Sequence, residues 1–537
     1  MKISLIIILS GDIVRSTEHI GVGYLASCLR ERNYEVKVHE IKEQDIEQED
    51  KYISTLNGQD FACITTTSVT MKCMNMKNIA YLTDILKRYY PNMQIACDGY
   101  MATFRGQEIL EKYHSIDYTI QGEGEITLCE LVDAIENKRA LSKILGLTYR
   151  NKNEIVQNKS RLFIEDLNSL PFPSRDQFEQ HQGKFQYIRL SSSRGCLGNC
   201  AFCCSFLNRY QDGVRWRGRT PDNIVDEIEL LVKKYNFHTY DFLDWTFEDP
   251  GEKGKTRIRT IAQEIINRKL NIFYNCCFRA ENWSEKDYGL IKLLVDSGLE
   301  KVNIGFESGN DRGLKILNKN ATMEDNWIII KILKNFPEIY VTFGFIMLHP
   351  YSTKEDILDN ANFLHNTGMG QVIRHYFWML EVYPGTLLER KLKCDALLDE
   401  KYDIYDGMYM YHFVNSDMEK LVIIFQEMLN LKSIWDFEIF DILIHTFISR
   451  IRKKYGEKYI MKELDNFNEF VNMERIKIAD FNYEFFMKLV ENRDNYDIEA
   501  NKKILDNFIR TEMDIIKAKQ YKLGLNLRRK GFTLDIN

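Results

Sequence analysis

The chain has 537 residues, of which 45% are hydrophobic and 28% are charged, which is the composition of a globular protein with two to four domains. The formal net charge of −6 argues against general nucleic-acid binding, which usually needs a basic surface. The twelve cysteines show no disulfide-like framework outside one short loop, so we expect a reducing, cytoplasmic compartment.

The N-terminus carries a short apolar run over residues 3–9 that meets Gly11 and Asp12 without a small-residue cleavage pattern. We interpret this run as a buried first strand and not as a signal peptide. No run of about 18 apolar residues follows anywhere in the chain, so we expect no membrane-spanning segment.

Residues 1–150 alternate strand-like and helix-like segments, which predicts a doubly wound parallel sheet of the Rossmann-like kind. Such sheets bind ligands beyond the carboxyl ends of their strands. The predicted strands are 3–9, 36–39, 61–65, 94–97 and 118–120, and the candidate ligand loops are 11–23, 66–70, 98–103 and 121–125.

A proline-marked segment within 151–180 predicts a linker. Beyond it, repeated strand–helix units over 181–390 predict a partial (β/α) barrel with its chemistry at the carboxyl ends of the strands. The predicted strands are 187–190, 239–243, 272–276, 301–306, 340–347 and 374–382. Polar residues that follow them are Asp244, Arg279, Glu307 and Ser308.

Residues 391–537 contain little glycine or proline and repeat apolar residues at helical spacing. This pattern predicts a helical C-terminal domain. We expect this domain to cover the mouth of the barrel and to shape the substrate pocket.

The most informative motif is a glycine-containing loop with the spacing C-x3-C-x2-C, formed by Cys196, Cys200 and Cys203. Three close thiolates can bind three irons of a [4Fe-4S] cluster and leave the fourth iron open for a reactant. Zinc sites usually pair C-x2-C with a second Cys or His pair, and none lies nearby. A zinc site or three unrelated thiols are the alternatives.

This loop, with the aromatic Phe202 beside its last cysteine, resembles the signature of the radical S-adenosylmethionine (SAM) superfamily. The resemblance implies that the three cysteines bind the cluster and that the open iron binds SAM. Reductive cleavage of SAM would then give a 5′-deoxyadenosyl radical. It also implies that Phe202 packs near the adenine, while Cys204 is an extra, structural thiol. The further SAM contacts implied are Asp244, Arg279, Glu307 and Ser308.

The glycine-rich loops of the first 150 residues resemble those of cobalamin (B12)-binding domains fused to radical SAM domains. The motifs that carry this resemblance are Gly21-Val-Gly23, Asp98-Gly99 and Gly122-Glu123. The cobalamin contacts expected are Gly21, Gly23, Ser68, Asp98, Gly99, Gly122 and Glu123. Some cobalamin proteins bind cobalt through the histidine of a D-x-H-x-x-G motif, which is absent from this sequence. We therefore expect cobalamin to bind without a histidine beneath cobalt. We interpret His19 and His39 as loop and surface residues.

Together these resemblances imply a cobalamin-dependent radical SAM enzyme, with methylation of an unactivated carbon as the main hypothesis. Cobalt would take a methyl group from one SAM, and the substrate radical generated by a second SAM would collect it from methylcobalamin. The expected partners are a small-molecule or peptide substrate, such as a natural-product precursor, and an external one-electron reductant of the flavodoxin or ferredoxin type.

Three alternatives stay open at this point. The first is a radical SAM enzyme that catalyses a non-methylating rearrangement, cyclisation or peptide modification. The second is a non-catalytic protein that binds cobalamin or SAM as a signal. The third is a tRNA methylthiotransferase with a second cluster on Cys28, Cys63 and Cys97, although the pattern around these residues favours core thiols.

Overall fold

The computed structural model describes residues 1–9, 17–68, 76–152, 154–181, 185–204, 214–399, 408–456 and 461–532. Within these ranges the chain forms two parallel sheets, each packed with helices, followed by a layer of long helices. None of the described helices is both long enough and apolar enough to cross a membrane.

The N-terminal sheet has the strand order β2-β1-β3-β4-β5-β6-β7. Its strands are β1 (Lys2–Leu9), β2 (Glu35–Lys42), β3 (Phe61–Thr65), β4 (Gln94–Asp98), β5 (Tyr118–Ile120), β6 (Leu147–Asn151) and β7 (Glu154–Gln157). The first five run parallel, whereas β6 and β7 run antiparallel. The direction of winding reverses between β1 and β3, which is where such sheets bind ligands.

Four helices cover this sheet: α1 (Ile20–Glu31), α2 (Met76–Tyr89), α3 (Tyr100–Lys112) and α4 (Gly124–Glu136). Separate apolar cores lie on its two faces, which explains why β1 is apolar along nearly its whole length. The predicted doubly wound sheet is therefore confirmed. The antiparallel β6–β7 pair was not predicted, and β7 lies within the segment interpreted as a linker.

The second sheet is open and parallel, with the order β14-β13-β12-β11-β8. Its strands are β8 (Ile188–Leu190), β11 (Thr239–Phe242), β12 (Phe273–Phe278), β13 (Leu299–Glu307) and β14 (Tyr340–Phe345). A separate antiparallel pair, β9 (Ser193–Gly195) and β10 (Trp216–Gly218), flanks the cysteine loop. Five parallel strands with intervening helices make the predicted partial barrel.

The helices of this region are α5 (Asp176–Gln180), α6 (Pro221–Tyr235), α7 (Gly251–Asn267), α8 (Tyr288–Ser297), α9 (Asp311–Ile316), α10 (Met323–Leu333), α11 (Lys354–Asn366), α12 (Arg374–Phe377) and α13 (Leu387–Cys394). Several begin with a side-chain cap, which fixes where each strand–helix loop ends. The Thr220 hydroxyl, for example, accepts a hydrogen bond from the Asn223 amide at 3.4 Å, with Pro221 in the first turn of α6.

The strand predicted over 374–382 is wrong. Its first residues form the short helix α12, and Met379 makes only a single parallel bridge to Leu348. The physical reason is a side-chain anchor, because the Arg374 guanidinium donates twice to Glu438, at 2.6 and 2.8 Å. This anchor turns the chain outward toward the C-terminal helices before it returns to the sheet edge.

The C-terminal helices are α14 (Glu419–Leu429), α15 (Lys432–Tyr455), α16 (Met461–Glu491) and α17 (Ile498–Arg529). They confirm the helical prediction but not the predicted position. Arg450 of α15 donates to Glu300 at the start of β13, and Asp441 accepts from the Tyr340 hydroxyl at the start of β14. The helix therefore packs against the amino ends of the strands, opposite the mouth, because its charged residues match partners there.

Candidate active site

The cysteine loop follows β9 and is held against the barrel by backbone hydrogen bonds. The Ala201 amide donates to the Leu317 carbonyl at 2.8 Å, and the Leu388 amide donates to the Ala201 carbonyl at 2.9 Å. The Leu197 amide donates to the Asp249 carboxylate at 3.2 Å. The loop is thus fixed to three separate elements before any metal binds.

Two of the three thiols converge on Gly198. A Cβ atom at this position would lie 3.2 Å from the Cys196 sulfur and 3.9 Å from the Cys200 sulfur, and the Gly198 amide donates to the Cys196 sulfur at 3.2 Å. Burial raises the pKa of Cys196 to about 11 and that of Cys200 to about 12. A bound metal would offset this cost, since it holds cysteine as the thiolate.

The third cysteine, Cys203, lies close enough to both for its charge to raise their pKa values. Each cysteine of a cubane cluster binds a different iron, so the three sulfurs need not meet at one point as they would around a single ion. Among the described residues, no group of three or more His, Cys, Asp and Glu side chains converges around one ion position.

The predicted residue Glu307 ends β13 with a positive φ of 64°. A Cβ atom on Gly305 would lie 2.6 Å from its Oε1, and a Cβ atom on Gly344 would lie 3.1 Å from its Oε2. The carboxylate therefore lies against two glycines at the barrel mouth, in space that a side chain at either glycine would occupy. Burial raises the pKa of Glu307, and the nearby Lys319 ammonium opposes that shift.

Lys319 was not predicted, because it follows α9 and no strand-end pattern marks it. Its Nζ atom would lie 2.9 Å from a Cβ atom on Gly305, beside the Glu307 carboxylate. Burial lowers the pKa of Lys319, whereas the Glu307 carboxylate and the Cys200 thiol raise it, with a net upward shift. A cation thus lies between the cysteine loop and the barrel mouth.

Arg279 also lies beside the cysteine loop. Its guanidinium is 2.8 Å from Glu281 and 3.4 Å from Asp249, and its charge acts on Cys196. The Arg279 amide donates to the Glu248 carboxylate at 2.9 Å, and burial raises the pKa of Glu248 to about 7. The mouth of the barrel therefore holds paired charges close to the thiols. Phe202 is partly buried against an apolar cluster that includes Ala201 and Leu317.

Two predicted SAM contacts, Asp244 and Ser308, lie in hydrogen bonds within the protein. Both oxygens of Asp244 accept hydrogen bonds, one from the Ser192 hydroxyl at 2.6 Å and the other from the Ser193 hydroxyl at 2.9 Å. The Ser308 hydroxyl is buried and lies 3.2 Å from the Asn360 amide oxygen. Each side chain braces its own loop instead of facing the mouth.

A cavity lies between the two sheets and is lined by both halves of the chain. Its N-terminal wall includes His19, Gly21, Tyr24, Thr67, Asp98, Gly99, Tyr100, Gly122, Glu123 and Glu125, and its other wall includes Ser191, Ser193, Arg194, Gly195, Arg217, Leu243 and Trp245. Gly195 directly precedes Cys196. The cavity therefore joins the strand ends of the first sheet to the start of the cysteine loop.

Gly99 shows why the cavity wall needs glycine. It has φ 91°, and a Cβ atom there would lie 2.5 Å from the Thr67 hydroxyl. Gly122, with φ 77°, also lines the cavity. Ser68 follows Thr67, but it does not line the described cavity, and residues 69–75 of that loop lie outside the described residues, as do 10–16.

Gly23 is corrected. A Cβ atom at Gly23 would lie 2.6 Å from the Ser174 carbonyl, so this glycine allows close packing of the segment before the barrel and does not face the cavity. Glu123 lines the cavity but is held by the other half of the chain. Arg217 donates to both of its oxygens at 2.9 Å, and Arg194 lies at 3.3 Å.

Asp98 and Glu125 leave acceptors in the cavity wall that no protein donor satisfies. Asp98 Oδ1 and Glu125 Oε2 are buried without a hydrogen-bond partner. Burial raises the pKa of Asp98 to about 7, and the nearby Glu125 carboxylate adds to this shift. Buried polar atoms normally have partners, so these two favour a ligand that carries hydrogen-bond donors.

His19 lies in the cavity wall and is buried, not a loop residue in solvent. Its Nδ1 accepts from the Val22 amide at 3.2 Å, which leaves the proton on Nε2, 3.1 Å from the Thr67 carbonyl. Both ring nitrogens are therefore engaged, and burial lowers the pKa of His19 to about 4. His39 is partly buried.

The cysteines proposed for a second cluster do not share one site. Cys63 belongs to the core on one face of the N-terminal sheet, and Cys97 belongs to the core on the other face. Because the sheet separates them, they cannot bind one cluster with Cys28. This placement opposes the methylthiotransferase alternative.

Two family profiles match the chain. The profile described as the radical SAM superfamily matches residues 190–364, and the profile described as the B12 binding domain matches residues 8–132. The chain belongs to the cobalamin-dependent radical SAM enzymes. Its cofactors are accordingly a [4Fe-4S] cluster, SAM and cobalamin, and its reaction needs a reductant.

Known relatives agree with this family. An uncharacterized methyltransferase of Pyrococcus horikoshii is 29% identical over 413 residues, which cover 75% of this chain and 85% of that protein. The anaerobic magnesium-protoporphyrin IX monomethyl ester cyclase of a Synechocystis species is 26% identical over 260 residues, or 48% of this chain and 50% of that one. The chain thus spans about half of the cyclase.

Among solved structures, the cobalamin-dependent SAM radical enzyme OxsB with aqua-cobalamin and SAM bound superposes with a TM-score of 0.70. The match covers 99% of this chain and 81% of OxsB at 18% identity, so it shows a shared fold.

The residues present fit these cofactors. The corrin ring carries amide side chains, whose N–H groups match the unpaired oxygens of Asp98 and Glu125. Cys196, Cys200 and Cys203 supply three soft ligands in a loop already held in place. Charges of both signs lie beside the cysteine loop. The Glu307 carboxylate suits the ammonium of SAM, and the cations Lys319 and Arg279 suit its carboxylate.

Proposed function

We propose that this enzyme methylates an unactivated carbon of a peptide or natural-product precursor. One observation carries the proposal: a single cavity is lined by the glycine loops of the cobalamin-binding half and by Arg194 and Gly195, the two residues that directly precede Cys196. The methyl donor would therefore be bound directly beside the cysteine loop that holds the radical source. The P. horikoshii relative, which is named a methyltransferase, supports the same reaction type.

When bound, cluster and SAM supply the 5′-deoxyadenosyl radical, and cobalamin supplies the methyl group. The chain's own residues position and shield these groups. We assign the ammonium of SAM to Glu307 and its carboxylate to Lys319, since these two opposite charges lie together at the mouth. Leu243 and Trp245 give the cavity an apolar wall that excludes water from a radical reaction.

We further propose that an electron carrier of the flavodoxin or ferredoxin type reduces the cluster, in the cytoplasm. The Leu197 side chain, within the cysteine loop, is 42% exposed. The loop thus presents a surface from which a small protein could approach the cluster closely. The substrate class proposed is a small molecule or a peptide.

The experiment that tests methylation needs no substrate. The enzyme, reconstituted without air with iron, sulfide and cobalamin, is incubated with a strong reductant and SAM that carries a trideuterated methyl group. We expect the recovered corrinoid to carry that deuterated methyl group by mass spectrometry. A matched control is Gly99→Val, whose new side chain would collide with Thr67 and disturb the cavity wall.

An unlabelled corrinoid together with 5′-deoxyadenosine would contradict the proposal. It would instead favour a rearrangement or cyclisation, the reaction class of the Synechocystis relative. Product mass then separates the two reactions once a substrate is known, because each methylation adds about 14 Da while a rearrangement adds nothing.

A further inference from the structure

The interior of the barrel is polar where such barrels are usually filled with branched apolar side chains. Successive side chains of a strand point to opposite faces. In β13 the residues Val302, Ile304 and Phe306 are fully buried in the outer core, and in β12 the Tyr274 hydroxyl donates to the Leu294 carbonyl of α8. The alternate residues of both strands therefore face the interior.

These interior residues form two rows across the sheet. In the lower row Asp241 of β11 pairs in register with Asn275 of β12. In the upper row Cys277 of β12 pairs with Asn303 of β13, which pairs with Thr342 of β14. Neighbours in register share one face, so these side chains lie side by side in the interior.

The interior is closed below and open above. At the floor, Tyr340 donates to Asp441 at 2.8 Å, and the Arg450 guanidinium lies 4.3 Å from the centre of the Phe273 ring. Above the two rows the interior positions are Gly305 and Gly344, which leave space beneath the Glu307 carboxylate. Asn303 is exposed, so solvent reaches this part of the interior.

Asn275 is the observation that points to a ligand. Its side chain is 2% exposed, and neither its amide nitrogen nor its amide oxygen has a hydrogen-bond partner. An amide buried with both groups unpaired lowers stability unless something else satisfies them. Asn303 lies beside it, where its oxygen accepts from the Thr342 hydroxyl at 3.2 Å and its side chain is hydrogen-bonded to the Cys277 thiol.

The two charged side chains that flank this pocket, Asp241 and Lys301, each contact another group. The Asp241 carboxylate lies 3.9 Å from Arg189, and the Lys301 ammonium lies over the Tyr187 ring at 5.2 Å. A cationic ligand group would therefore meet no uncompensated carboxylate, and an apolar one would leave Asn275 unpaired. A neutral group with adjacent donor and acceptor satisfies both conditions.

We propose that this pocket, lined by Asn275 and Asn303, binds a carboxamide or peptide amide of the substrate. An amide can donate to the Asn275 oxygen and accept from its nitrogen at the same time. This inference rests on the proposed function, since it places the substrate beneath the Glu307 carboxylate, on the barrel side of SAM. It favours amide-bearing substrates over lipid or pigment precursors.

The test measures binding of two probes of nearly equal shape to the holoenzyme with cobalamin and SAM, by ligand-observed NMR titration without reductant. N-methylacetamide is the smallest peptide-bond mimic, and methyl acetate lacks its N–H donor. We expect wild-type enzyme to bind the amide about fivefold more tightly, the effect of one hydrogen bond. Asn275→Leu and Asn303→Leu should each remove this preference, and the exposed control Asn335→Leu should keep it.

Equal binding of the two probes by wild type would overturn the proposal. So would a preference that survives both Asn→Leu substitutions, because ordered water would then be the partner of Asn275. If Asn275→Leu fails to fold, Asn303→Leu decides the matter, since its side chain is exposed. The assay needs no turnover, so an intact amide preference in an enzyme that fails to methylate cobalamin would refute the proposed function and leave the pocket standing.

Discussion

Arg194 donates to the Glu125 carboxylate at 2.6 Å, across the boundary between the cobalamin-binding sheet and the barrel. Arg194 lies two residues before Cys196, and Glu125 lies in the first turn of α4. The Arg194 guanidinium also stacks over the Tyr24 ring of α1, 5.0 Å from its centre. This buried ion pair, together with the pairs of Arg194 and Arg217 with Glu123, fixes the start of the cluster loop relative to the cobalamin-binding loops.

Glu125→Gln should lower stability, because it removes the closer of the two largely buried carboxylates, Glu125 and Glu123, that are paired with Arg194. We expect a loss of about 2 kcal/mol, as for a hydrogen bond to a charged group, seen as a lower thermal midpoint. The control Asp296→Asn breaks an exposed pair with Lys292 and should cost at most about 0.5 kcal/mol. Equal effects of the two substitutions would show that the Arg194 pair does not hold the halves together.

Asp98 makes stability depend on pH. Its folded pKa of about 7 exceeds the unfolded value of about 4, so the folded state binds a proton more tightly. The resulting stabilisation is complete below the unfolded pKa and is lost as pH rises through about 7. Asp98→Asn abolishes this dependence.

The measurement is urea unfolding of both proteins, without cobalamin, between about pH 5 and pH 8. The wild type should lose stability relative to Asp98→Asn as pH rises. Glu248, whose pKa burial also raises to about 7, is present in both proteins and cancels in the difference. A difference that stays constant over this range would refute a raised pKa of Asp98.

Lys319 should raise the reduction potential of the cluster, because its positive charge lies near Cys200 and favours an added electron. Lys319→Met should lower the potential by about 40 mV, the equivalent of about 1 kcal/mol for one electron. The measurement is a redox titration followed by electron paramagnetic resonance. Lys315→Met, an exposed lysine of α9, serves as control and should leave the potential unchanged.

The sequence predicted the features that depend on local spacing. Three cysteines within eight residues identify the cluster loop, and apolar runs between glycine-rich turns identify the parallel strands of both sheets. At the end of a strand, neighbouring side chains point in different directions, so the sequence does not show which of them faces the cavity. Asp244 turns inward to Ser192 and Ser193, while its neighbour Trp245 lines the cavity.

Side-chain contacts between residues far apart in the chain could not be predicted from the sequence. The apolar stripe of α15 predicts that one face is buried, but Arg450 and Asp441 find their partners at the amino ends of strands more than a hundred residues away. Lys319 likewise reaches the site only because α9 returns the chain to the barrel mouth. Sequence periodicity carries no information about such pairings.

The proposed chemistry requires a cluster bound by Cys196, Cys200 and Cys203. Anaerobic reconstitution with iron, sulfide, SAM and a reductant tests this role of the three cysteines directly. Wild-type enzyme should bind about four irons per chain and release 5′-deoxyadenosine, whereas Cys200→Ala should lose both and Cys204→Ala should keep both. If the wild-type protein binds no iron, or binds iron and forms no 5′-deoxyadenosine, the three cysteines do not bind a cluster that cleaves SAM.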